Sequence, residues 1–178
     1  LFRSIEAFKP TLLIDEADTF LHDNQEIYGV LNAGHRKRGA FVLRVEGDDF
    51  SPKQFSVWCP KVFAGIGKRK DTFEDRSIVI AMRRKERGEV VERIRADRLS
   101  ELNGIKRKAF RWAKDNIEAL KLIDPELPES LNDRGQDNWR PLISIAECVG
   151  GSWPEKGRQA ALLISGEEKQ ADESTPIM

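Results

Sequence analysis

Two carboxylates stand side by side at the end of a short apolar run near the start of the chain. The run is Thr11 to Ile14, and Asp15 and Glu16 follow it directly. Four apolar residues in a row are typical of a strand that a parallel sheet buries on both faces. Open α/β sheets bind their ligands beyond the carboxyl ends of such strands. The order of residues therefore predicts a site that needs negative charge at the end of this strand.

The same order, four apolar residues and then Asp–Glu, is the Walker B pattern of P-loop nucleotide hydrolases. In those enzymes the first acid holds Mg²⁺, usually through water, and the following Glu polarises the attacking water. The pattern predicts Asp15 as the metal and cofactor ligand for Mg-ATP, and Glu16 as the catalytic carboxylate. The alternative is that both acids favour the start of the next helix. We prefer the functional interpretation, because two adjacent acids at a buried strand end are costly without a cation.

An arginine precedes a later apolar run, in the stretch KVFAGIGKRKDTFEDRSIVIAMRRK from Lys61 to Lys85. Its placement is similar to that of the arginine finger in AAA+ and related ring ATPases, which reaches the nucleotide of a neighbouring subunit. Arg76 is therefore a catalytic candidate, because a planar permanent cation stabilises charge that builds on the γ-phosphate. An ion pair with Asp71, Glu74 or Asp75 is an equally good interpretation. The sensor 1 position, normally polar, is occupied by Ala64, Gly65 and Ile66.

The elements that would position these residues follow from apolar periodicity. Buried strands are expected at Leu12–Asp15, Lys61–Ala64 and Ser77–Met82, parallel to one another because the connections between them are long. A helix at Asn24–Ala33 and a β-hairpin insertion, Phe41–Val45 with Gln54–Trp58, separate the first two. The fold class is α/β: part of a P-loop parallel sheet from the Walker B strand onward, then an all-α lid. We expect domains at residues 1–86 and 87–166, with helices at Asn132–Val149 and from Trp153 to Ile164, and a flexible tail at 167–178.

Several segments in this order resemble one family over the span from Pro10 to Ser165. The segments are PTLLIDEADTFL, YGVLNAGHRKRG, VFAGIG, DTFEDRSIVIAMRRK and NDRGQDNWRPLISIAECVGGSWPEKGRQAAL. The family is the uncharacterised ATPase-like domain at the C-terminal end of phage, plasmid and bacterial primase and helicase-like proteins. The resemblance implies ATP and Mg²⁺ as cofactors, a ring-shaped homo-oligomer and DNA as partner. It also makes Arg134 a nucleotide-binding candidate of the sensor 2 type, with an ion pair to Asp133 or Asp137 as the alternative.

The phosphate-binding loop of such enzymes, GxxxxGK[ST], does not occur in these residues. Gly67 and Lys68 resemble its end, but Val62 stands at the first glycine position and Arg69 follows the lysine. If the resemblance holds, the Walker A loop lies upstream of Leu1, and the strand before it is the central strand of the sheet. The fragment alone is then expected to bind nucleotide weakly or not at all.

Three basic clusters, at turns or strand ends, are candidates for contacts with DNA phosphates. The first is His35 with Arg36, Lys37 and Arg38, the second is Lys68, Arg69 and Lys70, and the third is Arg83, Arg84, Lys85 and Arg87. The alternative is an ordinary solvated surface, because no aromatic residues are interleaved with these cations. The four tryptophans, Trp58, Trp112, Trp139 and Trp153, are interpreted as packing residues, because each lies within an apolar pattern.

The composition gives no overall preference for a charged partner, since 30 Lys and Arg balance 30 Asp and Glu. Cys59 and Cys148 are far apart and have no metal-binding spacing, which fits a reduced, cytoplasmic setting. No apolar run reaches membrane-spanning length. Two functions remain open: the motor module of a DNA helicase-like ATPase, or a non-catalytic DNA-binding or oligomerisation domain with a degenerate ATPase fold.

Overall fold

The computed structural model describes residues 1–21, 24–46, 50–67, 71–92 and 100–173. The chain divides into two compact units, Leu1–Arg76 and Ser77–Met178. The first unit contains α1 (Phe2–Phe8), β1 (Leu12–Ile14), α2 (Ala17–Leu21), α3 (Gln25–Ala33), β2 (Phe41–Glu46), β3 (Ser51–Ser56), β4 (Lys61–Phe63) and α4 (Asp71–Glu74). The second contains α5 (Ser100–Leu122), α6 (Asp133–Val149) and α7 (Trp153–Glu173).

Strands β1 and β4 pair in parallel, with Leu12 opposite Lys61, Leu13 opposite Val62 and Ile14 opposite Phe63. The predicted parallel pairing of these two segments is confirmed. Both strands end one residue earlier than expected, at Ile14 and Phe63. A wider sheet of the P-loop type stays a prediction.

One face of this small sheet is covered by helices and the other is exposed. Leu12, Ile14 and Phe63 pack on a cluster formed by Ala17, Leu21, Tyr28, Leu31 and Phe73. On the opposite face, Leu13 is 76% exposed and its neighbour Val62 is 56% exposed. The apolar run predicted that both faces of the strand are buried. Among the described residues only one face of the sheet is covered.

The β2–β3 hairpin is antiparallel and joins Phe41 with Ser56 through Glu46 with Ser51. The hairpin was predicted, although β3 begins three residues before Gln54, the expected first residue. Val42 packs on a second cluster that contains Ile5, Val30, Ala40, Val57 and Cys59. Ile5 belongs to α1, a helix that the sequence had not indicated. The hairpin and α1 thus share one core with the end of α3.

The predicted strand Ser77–Met82 is wrong, because residues 77–82 form neither a strand nor a helix. Among the described strands, none pairs with them. Ile78 instead packs against the core of the second unit, and the side chain of Asn138 in α6 donates a hydrogen bond to the Ser77 carbonyl at 3.1 Å. The apolar run is part of the helical core. The boundary between the two units along the chain therefore falls after Arg76, before the expected position at residue 86.

Helices α6 and α7 of the second unit begin within one residue of the predicted starts. The Asn132 side chain caps α6 by accepting a hydrogen bond from the Gly135 amide at 2.8 Å, and Gly150 ends the helix. Helix α7 starts at Trp153 as expected but continues to Glu173. The helix thus extends into the segment expected as a flexible tail, because Glu, Lys, Gln and Ala sustain a helix. Residues 174–178 lie outside the described part.

A core cluster of Leu131, Trp139, Ile143 and Ala161 joins α6 to α7. A half-buried ion pair supports it: the guanidinium of Arg158 lies 2.6 Å from the Glu147 carboxylate and donates to the Glu126 carbonyl at 3.0 Å. Of the four tryptophans interpreted as packing residues, Trp139 is buried, while Trp58 is 42% exposed and Trp153 is 56% exposed. Trp58 and Trp153 are thus only partly packed.

Candidate functional site

Asp15 and Glu16 lie exposed at the carboxyl end of the parallel pair. Two backbone hydrogen bonds continue the pairing beyond the strands: the Ala64 amide donates to the Ile14 carbonyl, and the Ala17 amide donates to the Ala64 carbonyl, both at 2.9 Å. Ala17 is completely buried. The two acids are therefore held between an ordered strand and a buried residue, at the edge where the sequence predicted them.

The backbone of Glu16 adopts a left-handed conformation, with φ of 51°. The Glu16 carbonyl accepts hydrogen bonds from the amides of Thr19 at 3.0 Å and Phe20 at 3.1 Å, which start α2. A non-glycine residue in this region costs on the order of 1–3 kcal/mol, and such residues cluster at functional sites. The strain at Glu16 thus coincides with the residue to which the sequence assigned catalysis.

Side-chain hydrogen bonds shape the turn that carries the acids. Asp15 Oδ1 accepts from the Glu16 amide at 2.9 Å, and Asp18 Oδ1 accepts from the Ile66 amide at 3.1 Å. The second bond ties the acidic turn to the loop after β4. Sequence reasoning missed this role of Asp18, and its place in the first turn of α2 was the available signal.

The loop after β4 places no polar side chain at the sensor 1 position. Ala64 contributes its backbone groups, Gly65 has no side chain, and Ile66 is 80% exposed. The sequence expectation for this loop holds: its contribution to the site is through the backbone. Lys68, Arg69 and Lys70 follow it and lie outside the described residues.

Arg76 follows α4 and is half-buried. Its guanidinium donates a hydrogen bond to the Thr72 carbonyl of that helix. Phe73 of the same helix packs edge-on against Phe63 of β4, with ring centroids 4.8 Å apart. Within the described part of the chain Arg76 forms no ion pair, so the expected alternative partners Asp71, Glu74 and Asp75 do not hold it.

Arg134 is exposed in the first turn of α6. The turn itself is well fixed, since Gln136 also donates to the Leu131 carbonyl at 3.1 Å. Arg134 belongs to the second unit, and Asp15, Glu16 and Arg76 belong to the first.

The basic turn Arg36–Arg38 is exposed and is fixed near the amino end of β4. The Lys61 ammonium donates to the Gly34 carbonyl at 3.1 Å and to the Cys59 carbonyl at 2.9 Å. Partial burial lowers the pKa of Lys61 below its usual value. The acids follow the other end of the sheet, so this turn is not part of the same cluster.

The basic segment from Arg83 to Arg87 is partly neutralised by the nearby carboxylates of Glu86 and Glu89. Arg83 forms a two-pronged ion pair with Glu89, and its guanidinium also lies 3.4 Å from the Glu86 carboxylate. The hydrogen bond from Arg83 lowers the pKa of Glu89. Arg83 is thus engaged within its own turn.

A divalent metal site built by the protein alone is not found in the described ranges, where no three His, Cys, Asp or Glu side chains form a group. Mg²⁺ does not require such a group, because it commonly binds one or two carboxylates together with water and substrate phosphates. Asp15, exposed at a sheet edge, fits that ligand set. None of the helices in the described ranges has the length and apolar character needed to cross a membrane.

Comparison with known proteins gives a family but no activity. The family described as "Protein of unknown function (DUF3631)" matches residues 81–178. An "Uncharacterized 28.9 kDa protein in xis 5'region" from Saccharopolyspora erythraea is 34% identical over 96 residues. The match covers 53% of this chain and 35% of that relative, so this chain spans about a third of the relative's length. No solved structure matches the chain.

Proposed function

Because the chain belongs to the DUF3631 family, whose activity is unknown, the function must be argued from its residues, and we propose an ATPase motor module. In this proposal, residues 1–76 are the second half of a P-loop core, and the helices from Ser100 to Glu173 act as its lid. The complete protein hydrolyses ATP to drive a helicase-like activity on DNA.

The observation that carries the proposal is the position and backbone of the acidic pair. A parallel strand pair leads directly to Asp15 and Glu16, and Glu16 is held in a strained conformation between Ile14 and buried Ala17. Two acids that only started a helix would gain from its partial charge without needing strain. The strain therefore favours the functional interpretation over the helix-start alternative.

Each candidate residue has a distinct part in this proposal. Mg-ATP, when bound, would supply the phosphoryl group for transfer to water. Asp15 would hold the metal ion, and Glu16 would orient and polarise the attacking water. The phosphate cradle comes from sequence outside these residues.

Two arginines complete the proposed site. Arg76 stabilises charge on the γ-phosphate of a neighbouring subunit, and its lack of an ion pair in the described residues supports that assignment. Arg134 reaches the nucleotide from the lid. Its exposure at an ordered helix start is compatible with this contact.

The basic turn Arg36–Arg38 lies away from the acids, which suits a contact with DNA phosphates better than a contact with the nucleotide.

One observation favours the second candidate, a non-catalytic DNA-binding or oligomerisation domain. The sensor 1 position has no polar side chain, so the loop after β4 cannot help Glu16 position water through a side chain. A degenerate ATPase fold would tolerate this loss.

The deciding experiment replaces Glu16 by Gln in a polypeptide that includes a phosphate-binding loop ahead of Leu1. Hydrolysis should fall by a factor on the order of 10²–10⁴, because the group that accepts the water proton is lost, while nucleotide binding persists. Asp15→Asn should weaken Mg²⁺-dependent binding as well. Glu129→Gln, a change at an exposed acid in the second unit, is the control. Hydrolysis by Glu16→Gln at the parental rate would show that the acids are structural.

A further inference from the structure

Helix α5 carries a dense cationic segment that the sequence analysis did not select. From Ile105 to Lys114 the sequence reads IKRKAFRWAK, which contains five Lys or Arg and no Asp or Glu. All five cations are exposed. Arg111 pairs with Asp115 at 2.8 Å, whereas Lys106, Arg107 and Lys108 have no acidic partner among the described residues. An exposed run of cations that the protein does not neutralise is suited to a polyanion.

An exposed aromatic ring stands within these cations. Phe110 is 66% exposed, although a phenylalanine gains by burial. Lys106 precedes it by four residues, Arg107 by three, and Lys114 follows by four, so all three share its side of the helix. The Lys114 ammonium lies 5.5 Å from the centre of the Phe110 ring. The ring is thus framed by cations on its own helix face.

The remaining side of α5 makes the contact with the helical core, which leaves this face unobstructed. Trp112 and Asn116 are partly buried, and the Cys148 thiol of α6 lies 3.6 Å from the Asn116 side-chain oxygen. Phe110 lies roughly a quarter turn or more from these two residues. The structure itself therefore separates a packing side from a cationic side on one helix.

We propose that the face formed by Lys106, Arg107, Phe110, Arg111 and Lys114 binds single-stranded nucleic acid. The cations contact successive phosphates, and a base stacks on the Phe110 ring, which is how sequence-tolerant single-strand sites are built. An anionic membrane surface is the competing polyanion. It fits less well, because a membrane-bound helix inserts a broad apolar face, and here Lys106, Arg107 and Lys114 surround Phe110 on this face.

This inference extends the proposed function by naming a surface for its nucleic acid partner. The binding assay contains no ATP, so a negative result in it would not affect the hydrolysis test of Glu16. A loss of hydrolysis would equally leave this surface untouched.

The test measures binding of the 178-residue chain to fluorescein-labelled oligothymidylate over a series of salt concentrations. The double variant Arg107→Gln with Lys114→Gln should bind more weakly, and its dependence of log K on log salt should be shallower by about 1.4, as expected for two lost phosphate contacts. Gln has nearly the helix propensity of Lys and Arg, so α5 is preserved. The matched control, Lys9→Gln with Lys156→Gln, removes two exposed cations outside α5 and should bind as the parent does.

Phe110→Ala tests the stacking contact separately. It should weaken oligothymidylate binding roughly tenfold, with little change in the salt dependence, and it should leave binding of inorganic polyphosphate unchanged. Phe110→Trp should retain the affinity. Leu122→Ala, at another exposed apolar residue of α5, is the control.

Three outcomes would overturn the proposal. The first is parental affinity in either the charge double variant or Phe110→Ala. The second is equal weakening in the control double variant, which would indicate nonspecific charge attraction. The third is binding to phosphatidylglycerol vesicles that depends on Phe110, without binding to oligothymidylate.

Discussion

Asp18 joins two loops that the sequence separates by 48 residues, because its carboxylate accepts the amide hydrogen of Ile66. The bond links the turn that carries Asp15 and Glu16 to the loop after β4. Asp18 thus acts on the candidate site by positioning, without contacting a reacting group.

Replacing Asp18 should reveal this role in stability. Asp18→Ala removes the acceptor and should lower the free energy of unfolding by about 1 kcal/mol. Asp18→Asn keeps a side-chain oxygen at the same place and should retain most of the stability. Urea unfolding of the chain measures both, with Glu129→Ala as a control at an exposed acid. Equal losses in Asp18→Ala and Asp18→Asn would show that charge, not the hydrogen bond, matters.

At the scale of single residues, the sequence indicates candidate residues from their neighbours in the chain. It gives no information on contacts between a side chain and a distant backbone group. Asp15 and Glu16 could be selected because their order after an apolar run is local. The part played by Asp18 depends on the Ile66 amide, and the setting of Lys61 depends on the carbonyls of Gly34 and Cys59. A backbone amide or carbonyl has the same identity at every residue, so the sequence carries no signal for such partners.

Among the elements, those with a local signal were predicted well. Helix α6 has an Asn cap at one end and Gly150 at the other, and α3 likewise begins after Asn24, whose side chain accepts the Ile27 amide hydrogen. The expected strand at residues 77–82 failed, because an apolar run has the same composition whether it pairs in a sheet or packs on helices. Its packing on the α6–α7 core was decided by tertiary contacts.

Two glycines, Gly29 within α3 and Gly34 directly after it, test the close approach between the end of α3 and β4. A Cβ at Gly34 would lie 2.3 Å from the Val57 carbonyl oxygen and 2.5 Å from the Lys61 ammonium, whereas a Cβ at Gly29 meets nothing within 4 Å. Gly34→Ala should lower the free energy of unfolding by roughly 1–3 kcal/mol through this overlap. Gly29→Ala, in the exposed middle of the same helix, should raise it by about 0.5–1 kcal/mol.

Thermal or urea unfolding distinguishes these two substitutions by the sign of their effects. A stable Gly34→Ala variant would mean that α3 can shift away from β4 without loss. The hydrogen bond from Lys61 to the Gly34 carbonyl would then contribute little to the placement of the basic turn.

At the scale of the whole molecule, the proposed finger requires two subunits. In the nucleotide-binding polypeptide, Arg76→Ala should leave nucleotide affinity nearly unchanged and reduce turnover by a factor on the order of 10³, because the lost interaction exists mainly in the transition state. Mixed assemblies of Arg76→Ala and Glu16→Gln subunits should regain activity. Such an assembly contains interfaces with an intact Glu16 on one chain and an intact Arg76 on its neighbour.

An arginine that served its own subunit could not be rescued in this way. Verified mixed oligomers without activity, formed from two inactive single variants, would therefore assign Arg76 to a role within its own chain.

The half-buried pair of Glu147 and Arg158 limits how the helical unit can diverge between species. Loss of either partner leaves the other charge partly buried and unpaired, and for buried pairs this is strongly destabilising. Replacement of both partners by apolar residues is often tolerated. A change of this contact by successive substitutions therefore passes through a single mutant of lower stability. Both residues lie in the segment matched by the family, so its members should vary at these two positions together.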